Sequence, residues 1–169
     1  RKRVGIGSRV FIRRSNDVIP EILSAVEGDV PERQVEKPTV CPACGAHVES
    51  RGAHLYCTNS LSCAPQIAGR LAHYASRDAM DIDTFSEKTA ALFVEELKLK
   101  SIPDLYDLGP QDYMGLQGFG ERRINNLMAA IERSKDCTLG AFTFAIGIPN
   151  VGAKTAKDLA RRFGTIEAL

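Results

Sequence analysis

The sequence contains no long hydrophobic run and carries almost no net charge. No apolar stretch approaches the ~18–20 residues that a membrane span needs, and no signal-peptide pattern opens the chain. These absences argue against a membrane partner and lead us to expect a cytoplasmic protein. The formal net charge of +1 gives the chain no general attraction for nucleic acid. Any nucleic-acid role must therefore depend on local clusters of basic residues.

The residues that are present match those of an ordinary globular protein. Hydrophobic residues make up 44% of the 169 positions and charged residues 25%, which argues against disorder and collagen-like repetition. This length corresponds to roughly one or two domains. The chain starts at Arg1 without an initiator methionine, and we expect it to be a piece of a longer protein.

Residues 1–30 are predicted to be the end of a β domain. Residues 10–12, which are β-branched or aromatic, indicate a strand; turn residues follow at 15–17, and residues 18–20 indicate a second extended segment. Two strands cannot bury a core on their own, so we expect that the earlier strands of this domain are missing from the sequence. Residues 31–38, which are charged and contain two prolines, are predicted to be a linker.

Four of the five cysteines lie close together, with a spacing typical of a metal site. A Cys-x2-Cys pair is followed after twelve residues by a Cys-x5-Cys pair, and two such pairs can complete a tetrahedron of thiolates around one zinc ion. Because four thiolates leave no open coordination position, the zinc is predicted to be structural rather than catalytic. We assign residues 39–66 to a zinc finger that holds Zn2+ through Cys41, Cys44, Cys57 and Cys63.

The remaining histidines and cysteine near or beyond this cluster are not predicted to bind the metal. His47 and His54 could each replace a cysteine, but with four thiols present we expect both to lie on the surface. Cys137 is far from the cluster in sequence, and we expect it to be a small packed residue. Four buried free thiols are the alternative to a metal site, and the density of cysteines argues against it.

From about Pro65 onward the hydrophobic period becomes helical. Ile67, Leu71 and Tyr74 recur at i, i+4 and i+7, and similar apolar faces follow at residues 90–97, 124–131 and 156–163. Short breaks containing Gly or Pro separate these segments, as in a compact all-α region. Residues 67–169 are therefore predicted to form a mainly α domain.

Three segments of this α region resemble one another. They begin at Ile82, Leu116 and Ile148, and each has a tight turn followed by a helix rich in Lys or Arg, with spacings of 34 and 32 positions between the turns. Repeats at this period indicate a stacked supersecondary unit. A turn with glycine lets the backbone approach another molecule, and the N–H groups at the start of the next helix favour an anion. DNA phosphate is the obvious anion, and such contacts do not depend on base sequence.

The three copies differ in how well their residues suit phosphate binding. The first has Thr84 and Ser86 where glycines are expected, which leaves open whether it contacts phosphate or only packs against the domain. The second has both glycines. The third has Asn150 in place of the earlier glycine, and Asn tolerates the left-handed backbone better than most residues. With the basic residues at their helix starts, the candidate DNA-binding residues of the last two copies are Gly118, Gly120, Arg122, Arg123, Asn150, Gly152 and Lys154.

Taken in order, these motifs resemble the C-terminal half of bacterial NAD+-dependent DNA ligases. The segment 7–21 resembles the end of that family's OB-fold domain. The remaining matches are Cys-Pro-x-Cys-Gly at 41–45, Cys-Thr-Asn at 57–59 with Cys63, Ala-Met-Asp-Ile-Asp at 79–83 and the helix-hairpin-helix repeats. The resemblance covers essentially the whole chain. It implies a multidomain fold: a small β piece from the end of an OB-fold, a four-cysteine zinc finger and a mainly α helix-hairpin-helix domain with three hairpins and a truncated fourth.

The resemblance also implies what this segment does. The family seals single-strand nicks in duplex DNA during replication and repair, using NAD+, Mg2+ and a lysine of an adenylation domain. The Lys-x-Asp-Gly motif that carries that lysine occurs nowhere in the sequence, so we expect an enzyme parent and a segment that is inactive alone. Its expected role is to hold nicked double-stranded DNA, as a monomer, for the adenylation domain.

In the family the OB-fold domain also engages the duplex. Arg13 and Arg14 are therefore candidate phosphate ligands, although both also suit a solvated strand face. The sequence departs from the family pattern at residues 64–66, where Ala-Pro-Gln replaces the usual Pro-Ala-Gln, and we expect the fourth hairpin and the BRCT domain to be missing.

Two alternative functions remain open at the level of sequence. One is the helix-hairpin-helix and zinc module of another DNA-repair protein. The other is a purely structural role for the zinc and the hairpins, in joining domains or recruiting a protein partner. The structural role predicts no salt-dependent affinity for duplex DNA, whereas phosphate binding requires it.

Overall fold

The computed structural model describes residues 4–15, 19–29 and 31–169, which divide into two compact units. One unit ends at Thr39, and the other runs from Val40 to Leu169. The predicted turn residues Asn16 and Asp17, and Val18 of the second predicted segment, lie outside the described residues.

The first unit contains a two-stranded antiparallel sheet. Strand β1 (Val10–Ser15) confirms the predicted strand, and strand β2 (Ile19–Ala25) is longer than the predicted extended segment. Their register is irregular between Phe11 and Ile12. The side chains of Phe11, Ile12 and Ile19 are 57–68% exposed. These two strands therefore bury little apolar surface, as expected for a sheet of this size.

Part of the predicted linker pairs with the start of this unit. The Ile6 N–H donates to the Arg33 carbonyl at 2.8 Å, and the Glu32 N–H donates to the Ile6 carbonyl at 3.0 Å. A Cβ on Gly5 would lie 2.5 Å from the Arg33 carbonyl oxygen. Glycine at this position therefore allows the two backbone segments to approach one another.

The second unit opens with a β-hairpin that the sequence analysis did not predict. Strands β3 (Val48–Arg51) and β4 (His54–Cys57) are antiparallel, with Gly52 in the left-handed region at the turn between them. Beyond the strands, the Thr58 N–H and hydroxyl both donate to the His47 carbonyl, at 3.1 and 3.0 Å. Strand β3 has one apolar residue and strand β4 has three in succession, so neither shows the apolar alternation by which strands are recognised.

Helices supply most of the regular secondary structure of the second unit. Four of the five agree with the predicted helical segments, and the seven-residue α4 and the 3-10 turns Pro103–Leu105 and Pro110–Tyr113 were not predicted. The helices are α1 (Ala64–Ala75), α2 (Glu87–Glu96), α3 (Glu121–Ser134), α4 (Leu139–Ala145) and α5 (Ala153–Phe163). In the described part of the chain, no helix combines the length and apolar character needed to cross a membrane.

One hydrophobic core joins α1, α2, α3 and the 3-10 turns. Its largest fully buried apolar side chains are Leu71, Phe93, Leu105, Tyr113 and Leu127. Burying side chains of this size accounts for much of the stability of a domain, at about 1.5–3 kcal/mol each. The small β piece, the four-cysteine segment and this α domain together match the predicted fold class.

Hydrogen bonds connect the helices around this core. The His73 ring, on α1, bonds through Nε2 to the Phe144 carbonyl of α4 at 2.9 Å. The Tyr106 hydroxyl bonds to the hydroxyls of Tyr74 at 2.8 Å and Ser134 at 2.9 Å, so it links α1 to the end of α3. Burial raises the pKa of Tyr74 above its usual range, so the Tyr74 phenol remains a neutral donor and acceptor at ordinary pH.

Helix α4 packs closely on α5. The contact includes Gly140, where an added Cβ would lie 3.3 Å from the Cα and Cγ of Lys157 and 3.6 Å from the Cβ of Ala160. The buried residues Thr143 and Ala156 belong to the same pair of helices. A glycine on α4 thus allows α5, which follows the third hairpin, to lie close to its neighbour.

Candidate metal centre and nucleic-acid interface

The four clustered cysteines come together at one point of the second unit. All four Sγ atoms lie within 4.8 Å of one another. The Cys41 and Cys63 sulfurs are 4.0 Å apart, and the Cys44 and Cys57 sulfurs are 3.5 Å apart. Sulfurs at the corners of a tetrahedron with Zn–S bonds of ~2.3 Å lie about 3.8 Å apart. The arrangement therefore suits one tetrahedral metal ion.

Each half of the metal site is shaped by backbone hydrogen bonds. In the first half, the Gly45 N–H donates to the Cys41 carbonyl at 2.8 Å, and Gly45 has a φ of 72° that glycine adopts without strain. The Cys41 N–H donates to the Ala46 carbonyl at 2.8 Å. These bonds form a tight loop, a knuckle, that turns both thiols of the first pair inward.

In the second half, both cysteines precede α1. Cys63 is the N-cap residue of α1, and its N–H donates to the Asn59 carbonyl at 3.1 Å. The Gln66 side-chain amide, one turn into the helix, donates to the Cys57 and Asn59 carbonyls, both at 3.3 Å. Gln66 therefore fixes the loop that carries Cys57, a role that the sequence analysis missed.

The local environment changes the acidity of these thiols even without a metal. Backbone N–H groups of Ala43 and then Cys44 lower the pKa of Cys41 to about 7. Burial raises the pKa of Cys57 to about 12 and raises that of Cys63. Four thiols in so small a space suit a cation, since a metal ion stabilises its cysteine ligands as thiolates. The cluster is compatible with a structural metal.

The three predicted repeats share one backbone conformation. Thr84, Gly118 and Asn150 all have positive φ angles, of 67°, 78° and 67°. Two residues later, Ser86, Gly120 and Gly152 are the extended N-cap residues of α2, α3 and α5, with φ between −82° and −89°. The three hairpins therefore have equivalent backbone at these two positions, although their sequences differ.

Hydrogen bonds repeat in the same way. In each hairpin the residue after the positive-φ position donates its N–H to the carbonyl three residues earlier: Phe85 to Ile82, Phe119 to Leu116 and Val151 to Ile148, at 3.3, 3.1 and 3.0 Å. Phe85 and Phe119 are buried, and both rings contact the ring of Phe93, with centroids 5.4 and 5.5 Å away. The first two hairpins are thus anchored on a single aromatic residue of α2.

The helix N-termini of the hairpins differ in how they are capped. In the first, the Ser86 hydroxyl accepts a hydrogen bond from the Thr89 N–H at 3.3 Å. In the other two, Gly120 and Gly152 offer no side chain to cap α3 and α5. A Cβ added to either glycine would meet no protein atom within 4 Å. Internal packing therefore does not require glycine there, and the first-turn N–H groups stay open to an outside acceptor.

A basic residue occupies the second helical position after each N-cap. These residues, Lys88, Arg122 and Lys154, are all exposed. Cations near the positive end of a helix oppose its dipole, whereas acidic residues are usually favoured there. Helix α5 has no acidic residue in its first turn. Helices α2 and α3 carry Glu87 and Glu121 in their first turns, so the uncompensated basic charge belongs to α5. This charge pattern suits a helix whose N-terminus faces an external anion.

An open cleft of about 430 Å3 lies at the start of α3. The first hairpin contributes Thr84 to its wall, and Asn126 lies one turn further along α3. The second hairpin and the first turn of α3 contribute Gly120, Glu121, Arg122 and Arg123. The two hairpins therefore share one surface around this helix N-terminus.

Arg123 differs from Arg122 and Lys154 because its side chain forms hydrogen bonds to other described residues. Its Nη1 donates to the Gly118 carbonyl at 3.0 Å, and its Nη2 donates to the Thr89 hydroxyl at 3.1 Å. The guanidinium carbon also lies 4.0 Å from the centre of the Phe119 ring. The structure thus joins Arg123 to both of the first two hairpins.

In the first unit, the two candidate arginines are both exposed on β1. Arg13 forms an ion pair with Glu21, with Nη2 and Oε2 3.1 Å apart. The described residues offer no ion-pair partner to Arg14. Arg13 and Arg14 lie in a different compact unit from the hairpins.

The remaining sequence expectations had mixed outcomes. His47 and His54 are exposed, as expected. The expectation that Cys137 is a packed residue was wrong, because its side chain is exposed. Cys137 lies just beyond the C-terminal end of α3, where the chain turns toward α4 and no core element covers it. Thr89 and Gly140 also have structural roles that no sequence pattern indicated.

The fold combines helix-hairpin-helix units with a cluster of four cysteines that could hold a metal ion. Residues 141–169 match the family model of the helix-hairpin-helix motif. This match contains the third hairpin and α5.

Over its whole length the chain is also similar to DNA ligases. The chain is 54% identical to a DNA ligase of Alkaliphilus oremlandii (strain OhILAs) over 170 residues, which cover 100% of the chain and 26% of that protein. It is 52% identical to a DNA ligase of Clostridium perfringens (strain 13 / Type A) over 174 residues, again 100% of the chain and 26% of that protein. The resemblance to DNA ligases is confirmed, and the chain spans about a quarter of the length of the curated relatives it matches.

Proposed function

We propose that this chain is the DNA-holding part of an NAD+-dependent DNA ligase that seals single-strand nicks in duplex DNA during replication and repair. The second and third hairpins bind the sugar–phosphate backbone through main-chain N–H groups, independently of base sequence. The observation that carries this proposal is the pair of uncapped helix N-termini at Gly120 and Gly152. Neither glycine is required by packing or by its own φ, so the missing side chain serves something outside the protein.

The charges near these N-termini support the same partner. Arg122 and Lys154 are exposed beside open N–H groups, where together they can neutralise phosphate oxygens. Gly118 and Asn150 contribute the left-handed turn that aims each helix start outward. A protein that neutralises Z phosphates loses affinity with salt at a slope of about −0.9Z on logarithmic axes. The proposed contacts therefore predict a measurable salt dependence even at a net charge of +1.

Arg13 and Arg14 are proposed to add phosphate contacts from β1, which we assign to the end of an OB-fold. The ion pair of Arg13 with Glu21 is an exposed one, and such pairs contribute at most about 1 kcal/mol. Exchange of that partner for a DNA phosphate is therefore energetically accessible. Arg14 is the stronger candidate, because its charge is not neutralised by a described residue.

The metal in the cysteine site is proposed to be Zn2+, held by Cys41, Cys44, Cys57 and Cys63. Four sulfur ligands at tetrahedral spacing favour zinc among the common metals and leave no position for a substrate. Its role is to fold the segment that leads into α1. NAD+ and Mg2+ belong to the parent enzyme, and the segment alone is proposed to form no adenylate because it lacks the Lys-x-Asp-Gly motif. We propose that it acts as a monomer in the cytoplasm.

Duplex binding by the 169-residue chain tests the proposal directly. Fluorescence anisotropy with a labelled nicked duplex, measured at several KCl concentrations, should give a Kd that rises with salt along a straight line on logarithmic axes. Duplexes of different base sequence should bind equally. An affinity that does not change with salt would refute phosphate recognition and favour a structural role for the hairpins.

A further inference from the structure

We propose that Arg123 is a positioning residue that braces the second hairpin against the first, and that it is not itself a phosphate ligand. The inference rests on the DNA-binding function proposed above and reassigns one of its basic residues. It also gives the first hairpin a role, namely to hold the phosphate-binding loop of the second in its working conformation.

The bracing contacts form a continuous chain between the two turns. From Arg123, Nη1 reaches back to the Gly118 carbonyl at 3.0 Å and Nη2 reaches across to the Thr89 hydroxyl at 3.1 Å. The Thr89 hydroxyl in turn donates to the Thr84 carbonyl at 3.4 Å. The positive-φ residues of both hairpins, Thr84 and Gly118, are therefore connected through one guanidinium and one hydroxyl.

The surroundings of Thr89 and Arg123 favour a fixed hydrogen bond between them over a guanidinium that is free to bind phosphate. Thr89 is 2% exposed and lies on the helix that is anchored by Phe93. The guanidinium of Arg123 stacks on the Phe119 ring at 4.0 Å, which orients its planar fork toward both acceptors. Arg122, the adjacent residue, is exposed and makes none of these contacts. Neighbouring arginines of the same helix turn thus have different roles.

The first hairpin is built as a support. Its Ser86 hydroxyl already accepts the Thr89 N–H at 3.3 Å and lies 3.2 Å from the Thr89 hydroxyl. The helix N-terminus that would receive a phosphate is therefore capped by the protein's own side chain. The same threonine offers its hydroxyl oxygen to Arg123, so the capped hairpin provides the acceptor that the open hairpin needs.

Salt dependence separates a positioning residue from a phosphate ligand. Loss of a phosphate contact lowers the salt slope by about 1, whereas displacement of a loop weakens binding at an unchanged slope. We would measure Kd for nicked duplex by anisotropy at several KCl concentrations and at 15 °C, for Arg123→Met, Arg123→Lys, Thr89→Val and Thr89→Ser. Circular dichroism melts would establish that each variant is folded at that temperature.

Arg123→Met and Thr89→Val should each raise Kd roughly three- to ten-fold with no change in slope. Arg123→Lys should behave like Arg123→Met, because lysine keeps the charge but lacks the fork that joins two acceptors. Thr89→Ser keeps the hydroxyl and should bind like the unchanged chain. The double variant Thr89→Val/Arg123→Met should have a Kd no higher than that of the single variant that binds DNA less tightly. Each single change already breaks the same connection between the two hairpins.

Arg122→Met is the matched control on the same helix turn and should lower the slope by about 1. Amide hydrogen exchange of residues 118–120 supplies a second readout: it should accelerate in Arg123→Met and Thr89→Val and stay unchanged in Arg122→Met. A slope reduced by about 1 in Arg123→Met, with normal affinity in Thr89→Val and Arg123→Lys, would overturn the inference and make Arg123 a phosphate ligand. Salt-independent binding by the unchanged chain would instead refute the proposed function itself.

Discussion

Thr84 and Asn150 adopt the same left-handed backbone, with a φ of 67° at each. For a β-branched residue this conformation is strained, by roughly 1–2 kcal/mol, whereas Asn tolerates it. Neighbouring contacts keep Thr84 in this strained conformation. The Thr84 carbonyl accepts a hydrogen bond from the Thr89 hydroxyl, and the adjacent Phe85 is buried. The fold thus imposes a hairpin conformation that the local sequence disfavours.

Thr84→Asn should therefore stabilise the protein by about 1 kcal/mol, since it replaces a strained residue with the one used in the third hairpin. The free energy of unfolding from urea titration measures this gain. Thr155→Asn, an exposed change in α5, serves as the control and should alter stability by less than about 0.5 kcal/mol. A loss of stability in Thr84→Asn would mean that the threonine side chain has a role that outweighs the strain.

Replacing Gly120 or Gly152 with serine should weaken DNA binding and leave the fold intact. Serine at an N-cap improves on glycine by a few tenths of a kcal/mol, and a Cβ meets no protein atom at either position. Its hydroxyl would occupy the N–H groups that we assign to phosphate. Loss of hydrogen bonds to a charged group, at about 1.5–3 kcal/mol, corresponds to a Kd about ten-fold higher or more.

The control for these two variants is Gly69→Ala in α1, where a Cβ also meets open space. It should raise stability by about 0.5–1 kcal/mol through helix propensity and leave the Kd for duplex DNA unchanged. If Gly120→Ser and Gly152→Ser bind DNA as tightly as Gly69→Ala, the hairpin amides are not the phosphate site.

The sequence predicts this architecture best where a repeating pattern carries the information. Apolar residues at helical spacing located α1, α2, α3 and α5, because a helix that buries one face must repeat its apolar residues every 3–4 positions. The spacing of the cysteines predicted that the four thiols come together, since two pairs of ligands on short loops can meet at one ion. The sequence also predicted that Gly118 and Asn150 occupy equivalent turn positions, because both residue types tolerate a left-handed backbone.

Features that depend on one residue and a distant partner could not be predicted in this way. No pattern distinguishes Arg123 from Arg122, and only the three-dimensional neighbour Thr89 separates their roles. Cys137 was expected to be packed because cysteine is usually buried, but its surroundings are set by the chain reversal after α3. Helix α4 is too short for periodicity to indicate it and is defined by its packing on α5.

Removal of the metal should unfold the segment around the cysteines. Structural zinc contributes roughly 10–16 kcal/mol of binding free energy in small zinc peptides, and the hairpin β3–β4 offers little buried apolar surface in its place. Chelation, followed by elemental analysis and a thermal melt, should show loss of zinc together with a lower Tm. Cys44→Ser should have the same effect, and Cys137→Ser, at an exposed thiol, should retain both the zinc and the Tm.

Tyr113, which is buried, and Tyr106, which is partly buried, should respond in opposite ways to removal of the hydroxyl. The Tyr113 hydroxyl is buried and finds no hydrogen-bond partner in the described part of the chain, and burial raises its pKa to about 12. Tyr113→Phe should therefore be neutral or stabilising by up to about 1 kcal/mol, because it removes an unsatisfied polar group. Tyr106→Phe should cost about 1–2 kcal/mol, since it breaks the bonds to Tyr74 and Ser134. Urea titration of both variants measures the contrast, and equal losses would contradict it.

The stabilising effect of Asp104 should disappear at low pH. Its carboxylate accepts the Ser101 hydroxyl at 2.6 Å and the N–H groups of Lys100 and Ser101 at 2.7 and 3.0 Å. The Ser101 hydroxyl, followed by the Lys100 N–H, lowers the pKa of Asp104 below its usual value. Because the folded state binds the proton less readily than the unfolded chain, whose aspartate pKa is about 3.9, this contribution is complete above that pH and is lost as the pH falls through the folded pKa.

Asp104→Asn should consequently be less stable than the unchanged chain at pH 7, and the difference between them should narrow as the pH is lowered below about 4. Free energies of unfolding at pH 7, 5, 4 and 3 follow this convergence directly. Asp107→Asn provides the control on the same turn, because the Asp107 side chain is exposed, and it should leave stability nearly unchanged at each pH. A deficit in Asp104→Asn that stays constant down to pH 3 would show that the carboxylate charge does not hold this turn, and that the side chain acts there through its shape alone.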